Sequence, residues 1–394
     1  MLKAWGVANR YAGSGDRRGI ADRVYLCIRE HGGQGGREAV LASLAKRDGL
    51  DVTGIAALFS GVGYAPATLT AEELARLQAL SGDAAGLPPF IERELGRSFG
   101  GAWRDEAAAL LSGRAPVDLR VNGRITDPQA LAAGLADSGF PSTRTPYSAH
   151  GLRLEASAAK LASLDAFKAG LFEVQDEGSQ MAAWLLGAQS GETVVDYCAG
   201  GGGKTLAIGQ MMAGEGALVA CDLNPRRLDA IRPRLERAGI EAVLRRVGPT
   251  GDRLDDLIGR ADRVLVDAPC SGSGTWRRRP EEAWRLTEEQ LANLTRTQAD
   301  VLRRASALVR PGGRLVYVTC SVLAAENADV VAAFAAAHPD FKPLPIDTAA
   351  DTPLLTDAGR QRLAELSGGG HTVQLSPRRA GTDGFFIALF QRTS

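Results

Sequence analysis

At 394 residues the chain is too long for one compact core, and two or three domains are expected. Hydrophobic residues make up 45% and charged residues 23%, an ordinary globular composition, and no apolar run approaches the roughly 18 residues of a membrane helix. Lys+Arg and Asp+Glu both number 46, and a chain without net charge stands outside the strongly basic class of nucleic-acid binders.

The charge is nonetheless uneven. Arg277-Arg278-Arg279, Arg245-Arg246 and Arg378-Arg379 are local clusters, open to two readings: groove walls that hold phosphates, or solvated surface. The first ten residues lack the apolar stretch and cleavage site of a secretory signal, so a cytoplasmic protein is expected, with a monomer favoured. The cysteines, Cys27, Cys198, Cys221, Cys270 and Cys320, are odd in number and show no CxxC spacing. That suits neither a disulfide framework nor a zinc site, so reduced thiols and no metal are expected.

From residue 1 to about 112 the apolar spacing is helical, as in Ile20, Val24, Cys27 and Ile28, and again from Glu72 to Leu80. Between about 113 and 175 short strand-like runs, Val117 to Val121 and Leu152 to Leu154, surround a helical stretch from Pro128 to Ser138, which reads as a small α+β module. Beyond about 176 strands and helices alternate. The strand-like runs are Thr193 to Asp196, Ala217 to Asp222, Val264 to Asp267 and Arg314 to Thr319; the helices begin near Lys204, Arg226 and Glu288. Val- and Leu-rich strands each followed by a helix indicate a parallel sheet covered on both faces, an α/β fold. The C-terminal Asp383-Gly384 pair is a turn signal, and Phe385 to Phe390 reads as a strand that completes the sheet in the antiparallel sense. Phe385 and Phe386 receive no catalytic role.

The segment Val194 to Thr205 is a strand, the glycine-rich turn Gly200-Gly201-Gly202-Gly203, and a helix start at Lys204. Glycines let the backbone turn tightly and lie against a ligand, while free amides at the helix start attract a nucleotide-like group. A P-loop needs glycine five residues before Gly203, and Cys198 stands there, so the match fails at its first residue and does not point to a kinase or ATPase. A dinucleotide fold and a methyltransferase turn both stay open, the pattern acidic-x-x-x-Gly-x-Gly from Asp196 being closer to the second. Asp222 ends the next strand 20 residues beyond Gly202, the spacing of a carboxylate that accepts from a ribose diol, or of a plain turn aspartate before Pro225.

Two further strand ends carry Asp267-Ala268-Pro269-Cys270-Ser271-Gly272 and Thr319-Cys320-Ser321. Ligands of such sheets bind outside the carboxyl ends of the strands, so both thiols are expected in one crevice, although a lone cysteine there is more often a small buried hydrophobe. Carbon 5 of cytosine is a poor nucleophile; a thiolate added at carbon 6 makes it enamine-like and able to attack a sulfonium methyl. Asp267 then suits the N3 and exocyclic amine edge, and the base must be unstacked to be reached. Spacing does not order the two cysteines.

These residues resemble the NOP/Sun RNA cytosine-5 methyltransferases. The likeness rests on Asp196-x-Cys198-Ala199 near Gly202-Gly203-Lys204-Thr205, Asp-Ala-Pro-Cys-Ser-Gly-x-Gly followed by Arg277-Arg278-x-Pro280, Thr-Cys-Ser followed by Glu326-Asn327, and Asp383-Gly384-Phe385-Phe386. It spans about residues 117 to 392, including Phe172 to Gln180, and is strongest toward the bacterial Sun (RsmB-type) ribosomal RNA enzymes. The resemblance implies a Rossmann-like class I domain over 176–394 with a mostly parallel seven-stranded sheet, an RRM-like module over 113–175, and a NusB-like helical RNA-binding domain over 1–112. It implies Cys320 as nucleophile, Cys270 in release of the adduct, and Lys204 and Asp267 beside the cytosine and cofactor. S-adenosylmethionine would lie against Cys198, Ala199, Gly200 to Gly203, Lys204, Asp222, Arg227 and Asp267, and the substrate would be a cytosine in 16S ribosomal RNA.

Two positions depart from the family. Gly200-Gly201 replaces the family's Ala-Pro, so a looser turn is expected. The acid that meets the adenine amine is missing at Val247-Gly248-Pro249, with Asp252 a weak substitute. A transfer RNA substrate, a catalytically silent assembly factor, and a DNA or protein methyltransferase are the alternatives. Pro269-Cys270 superficially fits the DNA enzymes, whereas Thr319-Cys320-Ser321 and the 113–175 module favour RNA.

Overall fold

The computed structural model describes residues 2–31, 36–46, 48–78, 86–155, 160–248 and 252–393. Contacts divide the chain into two units, Met1–Arg93 with Arg279–Leu286, and Glu94–Arg278 with Thr287–Ser394. No helix of the described residues is long and apolar enough to cross a membrane.

The first unit is helical, with helices at Leu2–Ala8, Ser14–His31, Arg37–Lys46, Val52–Leu58 and Ala71–Gln78. Leu41, Ile55, Phe59 and Leu77 form its buried centre. Local chemistry sets the helix starts. Asp51 accepts from Gly54 N at 2.7 Å, and Thr70 and Glu73 form a reciprocal capping box at 3.1 and 2.9 Å. The amphipathic stretch read as Glu72 to Leu80 is this last helix; Ala79 and Leu80 lie outside the described residues.

The helix Trp103–Leu111 belongs to the second unit although its spacing continues the helical texture of the N-terminal part. Its buried Glu106 accepts from Ser376 Oγ at 2.6 Å and pairs with Arg379 at 3.4 Å. Those partners come from the far end of the chain, where helical periodicity carries no information.

The module of this unit is an antiparallel sheet in the order β2-β3-β1-β4, from β1 (Val117–Val121), β2 (Ser142–Arg144), β3 (Gly151–Leu154) and β4 (Phe172–Val174). Strand alternation sends Leu119, Val121 and Phe172 into a core with Leu131 and Leu135 of the helix Pro128–Asp137. Asp118, Arg120 and Glu173 therefore occupy the opposite face. That face is covered, since all three are buried, Arg153 binds Asp118 at 2.7 Å, and Glu173 pairs with Arg234 at 2.8 Å.

The large sheet runs β10-β12-β9-β8-β5-β6-β7, with β11 also paired to β12. Its parallel strands are β5 (Thr193–Tyr197), β6 (Ala217–Asp222), β7 (Val243–Arg246), β8 (Ala261–Asp267) and β9 (Val309–Thr319). The antiparallel part is β10 (Phe341–Pro343), β11 (Thr372–Leu375) and β12 (Phe385–Arg392). The expected count of seven becomes eight because β12 is long enough for two short strands to share its outer edge. There β11 pairs with residues 385–388 and β10 with residues 390–392. Val194, Leu265 and Val316 point into one buried layer and Val195, Val264 and Leu315 into the other, as a sheet covered on both faces requires.

Asn122 joins the module to the large sheet's helices: its side-chain amide donates to Gly170 O at 3.1 Å and to Ala238 O at 3.0 Å, all buried. Removing it strands two buried carbonyls, each worth about 1–3 kcal/mol when left unpaired. Asn122→Ala is expected to lower the urea unfolding midpoint with an unchanged slope, read by far-ultraviolet circular dichroism.

Candidate active site

The turn after β5 departs from ordinary backbone at three places. Cys198 has φ 102°, Gly200 57° and Gly202 81°, and the glycines meet these values without the strain Cys198 bears. Cys198 is held there from behind, since the amides of Cys198 and Ala199 both donate to Cys221 O, at 3.0 and 2.8 Å. A Cβ at Gly202 would stand 2.9 Å from Ile231 Cγ2, so no larger residue fits. The amides of Gly201 and Gly203 make no hydrogen bond among the described residues, at the place where a helix start favours anionic or polar groups.

Asp222 ends β6 and is buried beside this turn. Its carboxylate accepts from Gly200 N at 2.9 Å through Oδ2 and from Asn224 N at 2.7 Å through Oδ1. It therefore shapes the turn, and each of its oxygens keeps a lone pair uncommitted. Asp196, fully buried in β5, accepts from Thr205 Oγ1 at 2.6 Å, while its second oxygen has no partner. Burial pushes its carboxyl up to about 7.

β8 and β9 are parallel neighbours, with Asp267 opposite Val318, and each gives way to a loop that carries a cysteine. The two sulfurs, Cys270 Sγ and Cys320 Sγ, lie 3.4 Å apart, so the sequence-predicted pair converges. Its hydrogen bond to Cys320, then burial, raise the Cys270 thiol well above the usual cysteine range. Burial raises Cys198 and brings Cys221 up to about 12.

The two loops are fastened by Glu326, which is wholly buried. One oxygen accepts from Ser271 N at 2.8 Å and Gln298 Nε2 at 2.9 Å, and the other from the hydroxyls of Ser271 and Ser321, both at 2.5 Å. Gln298 also donates to Pro269 O at 2.9 Å, and Ser273 Oγ stands 2.9 Å from Ser321 Oγ. Next to Glu326, Asn327 Oδ1 accepts from Thr319 Oγ1 at 2.6 Å. The Glu326-Asn327 pair is visible in the sequence, but nothing in its spacing assigns it this work, and no local signal marks Gln298 or Ser273.

Lys204 is nearly buried and donates to Asp267 Oδ2 at 2.7 Å. Burial works against its charge, but the charge of Asp267 and the hydrogen bond to it, with Cys320 beyond, raise it above the ordinary lysine value. Its ammonium also stands 5.2 Å from the centre of the Phe385 ring, so that ring covers the site's cation. The Asp383-Gly384 turn packs on the Cys270 loop: Gly384 N donates to Gly274 O at 2.8 Å, and a Cβ at Gly274 would lie 2.0 Å from Gly384 O.

The arginine clusters are largely neutralised inside the chain. Arg277 and Arg278 pair with Asp383 at 3.2 and 2.5 Å, Arg245 with Asp256 at 2.5 Å, and Arg379 with Glu106. Arg227, expected at the cofactor, is exposed in the first turn of the helix Pro225–Ala238. Pro249 and the side chain of Asp252, at the expected adenine contact, lie outside the described residues.

Residues 183–391 match the family described as 16S rRNA methyltransferase RsmB/F. The chain is 30% identical over 312 residues to the probable ribosomal RNA small subunit methyltransferase B of Synechocystis, covering 79% of this chain and 68% of that protein. The chain belongs to the RsmB/F family. That places it within the NOP/Sun RNA methyltransferases, as the motifs indicated. Methyltransferase B of Pseudomonas putida is 33% identical over 302 residues, 76% of this chain and 65% of that one. The probable Bacillus subtilis enzyme is 32% identical over 280 residues, 70% and 59%. The chain thus spans 59% to 68% of the length of these curated relatives. A solved methyltransferase homologue from Pyrococcus horikoshii shares 26% identity at a TM-score of 0.63, covering 82% of this chain and all of that one. NSun6 from the same organism, solved with SFG, shares the fold at a TM-score of 0.64 and 20% identity, with 78% and 98% covered.

The buried carboxyls of this family member leave a thermodynamic signature. Asp196 and Asp176 are both raised to about 7, by burial first, with Asp383 adding to Asp176. A carboxyl raised on folding stabilises fully below its unfolded pKa, and that contribution is lost as pH climbs from about 4 through 7. Asp196→Asn is expected to flatten the fall in unfolding free energy between pH 4 and 7 by a few kcal/mol. Denaturant midpoints measured across that range check it.

Proposed function

We propose that the protein is an RNA cytosine-5 methyltransferase acting on 16S ribosomal RNA, with S-adenosylmethionine as methyl donor and Cys320 as nucleophile. The observation that carries this reading is the 3.4 Å separation of two thiols at adjacent strand ends, beside a buried lysine–aspartate pair. Methyl transfer to a base nitrogen or oxygen needs no thiol; activation of carbon 5 does.

The residues fit the cofactor. A glycine turn with two uncommitted amides and an acid at the end of β6 suits the methionine and ribose portions. Cys198, Ala199, Gly200 to Gly203, Lys204, Asp222 and Asp267 would surround it, with Arg227 free at the rim. The fold neighbour solved with SFG, an analogue of S-adenosylmethionine, agrees with this choice. When bound, the cofactor supplies an electrophilic methyl group at its sulfonium.

The chain's own residues do the rest. The Cys320 thiolate bonds to carbon 6 of an unstacked cytosine, opening the 5,6 double bond and moving an electron pair toward carbon 5 and N3. Asp267 accepts from the exocyclic amine, and the Lys204 ammonium offsets the negative charge at N3. Once carbon 5 carries the methyl group, its proton leaves to a base, the 5,6 bond re-forms, and the carbon–sulfur bond breaks to return the Cys320 thiolate. Cys270, held as a thiol 3.4 Å from that sulfur, would donate a hydrogen bond to the departing thiolate and keep its own proton.

The helical domain over 1–112 and the RRM-like module over 113–175 are assigned to holding the RNA. The Asp118–Arg120 face of the module's sheet is covered by its own unit, so any contact it makes with RNA comes from its loops and edges. The reaction takes place in the cytoplasm.

Cys320→Ala is expected to abolish transfer of labelled methyl from S-adenosylmethionine to 16S RNA. Cys270→Ala is expected to accumulate a denaturation-resistant protein–RNA adduct, seen as a shifted band on a denaturing gel. An adduct with Cys320→Ala and none with Cys270→Ala would reverse the assignment. Bisulfite sequencing of RNA from a deletion strain identifies the cytosine.

A further inference from the structure

Four consecutive glycines give the segment Gly200 to Gly203 the widest backbone freedom a chain has. A free turn of that kind would have to be ordered by its ligand, at an entropic cost that weakens binding. The structure removes that freedom from outside. Arg234 Nη1 donates to Gly201 O, and Arg120 Nη1 donates to Gly203 O at 2.7 Å.

Both guanidiniums are anchored in β4 and on the residue just after it. Arg234 donates to Glu173 Oε2 through Nε at 3.2 Å and Nη2 at 2.8 Å, and Arg120 donates to Gln175 Oε1. Arg120 is buried, and burial draws it down to about 10 while Glu173 works the other way, so it stays a cation at neutral pH. Arg234 follows Ile231 by three residues on the helix Pro225–Ala238, so both side chains share one helix face. Ile231 meets the turn at Gly202, and a Cβ at Gly201 would lie 3.4 Å from Arg234 Nη1. Close approach of this face is what the glycines permit.

Holding the carbonyls of Gly201 and Gly203 fixes the peptide planes 201–202 and 203–204. The plane between them carries the uncommitted Gly203 amide, which then has one direction to point. We propose that Arg234 and Arg120 are positioning residues that brace the cofactor turn, with Glu173 and Gln175 of the small module as their anchor. The module thereby sets the shape of the turn that binds S-adenosylmethionine. This rests on the cofactor assignment above, and neither arginine touches the reacting atoms.

The test compares two arginines of one helix. Arg237 also pairs with Glu173 but, among the described residues, makes no hydrogen bond to the turn, so Arg237→Met removes a similar ion pair elsewhere. Arg234→Met removes the donor to Gly201 and keeps the aliphatic stem. Hydrogen exchange is followed by mass spectrometry in the ligand-free full chain, and S-adenosylmethionine affinity by calorimetry. Arg234→Met is expected to speed exchange across residues 200–204 and to raise Kd about tenfold or more, the loss of one charge-assisted hydrogen bond. Arg237→Met is expected to leave both near wild type, whatever it does to the melting temperature.

Arg234→Lys keeps charge toward Glu173 without the fork that reaches Gly201; it is expected to fold and to show the same two changes. Unchanged exchange and Kd in both Arg234 variants, or equal changes in Arg237→Met, would overturn the proposal. If the wild type binds no S-adenosylmethionine while exchange still separates the two arginines, the cofactor assignment fails and the brace stands.

Discussion

Everything in this site depends on one buried carboxylate holding two loops together. Parallel pairing of β8 and β9 brings two strand ends side by side, but loops that leave a sheet are free to diverge. Glu326 prevents this by accepting from Ser271 on one loop and Ser321 on the other, with Gln298 on its remaining side. A buried charge is tolerated only where donors surround it, so the serines and glutamine cannot drift without exposing an unpaired carboxylate. The residue before each serine is a cysteine, and their 3.4 Å separation is the geometric consequence. In the chemistry proposed above, a thiol that attacks a ring and then leaves it gains from a fixed partner sulfur.

Much of this could be read in the chain. Val- and Leu-rich runs alternating with helical runs indicate the parallel sheet, and the rule that such sheets bind ligands beyond their strand ends puts Cys270 and Cys320 in one crevice from sequence alone. The C-terminal strand was legible from Asp383-Gly384 and the apolar run behind it, and it pairs antiparallel with β9. What escaped sequence reading depends on distant partners. Arg278 reads as a basic surface residue until Asp383, 105 residues away, is found beside it, and Glu106 finds Ser376 at a separation of 270. Local periodicity carries no signal for such pairs. Phe385, which looks like a plain strand residue, has its ring over Lys204 for the same reason.

The glycine turn shows how a local expectation is altered by its surroundings. Two glycines in place of Ala-Pro argue for a looser segment when propensity is considered by itself. In the folded chain Asp222 holds the Gly200 amide, and two arginines hold the carbonyls of Gly201 and Gly203. The order that a proline would build into the backbone is here imposed through side chains from three separate elements. The small module thus contributes to the catalytic unit through Arg120 and Glu173, on the sheet face that strand alternation leaves opposite its own core.

The transient bond proposed between the Cys320 sulfur and a pyrimidine ring can be observed directly. RNA carrying 5-fluorocytidine blocks loss of the group at carbon 5 and so should trap the wild-type protein in the adduct with S-adenosylmethionine present. Protease and nuclease digestion followed by tandem mass spectrometry locates the modified residue. The nucleotide mass is expected on the peptide containing Thr319-Cys320-Ser321, at Cys320; the same mass at Cys270, or no covalent RNA at all, would overturn the proposed chemistry.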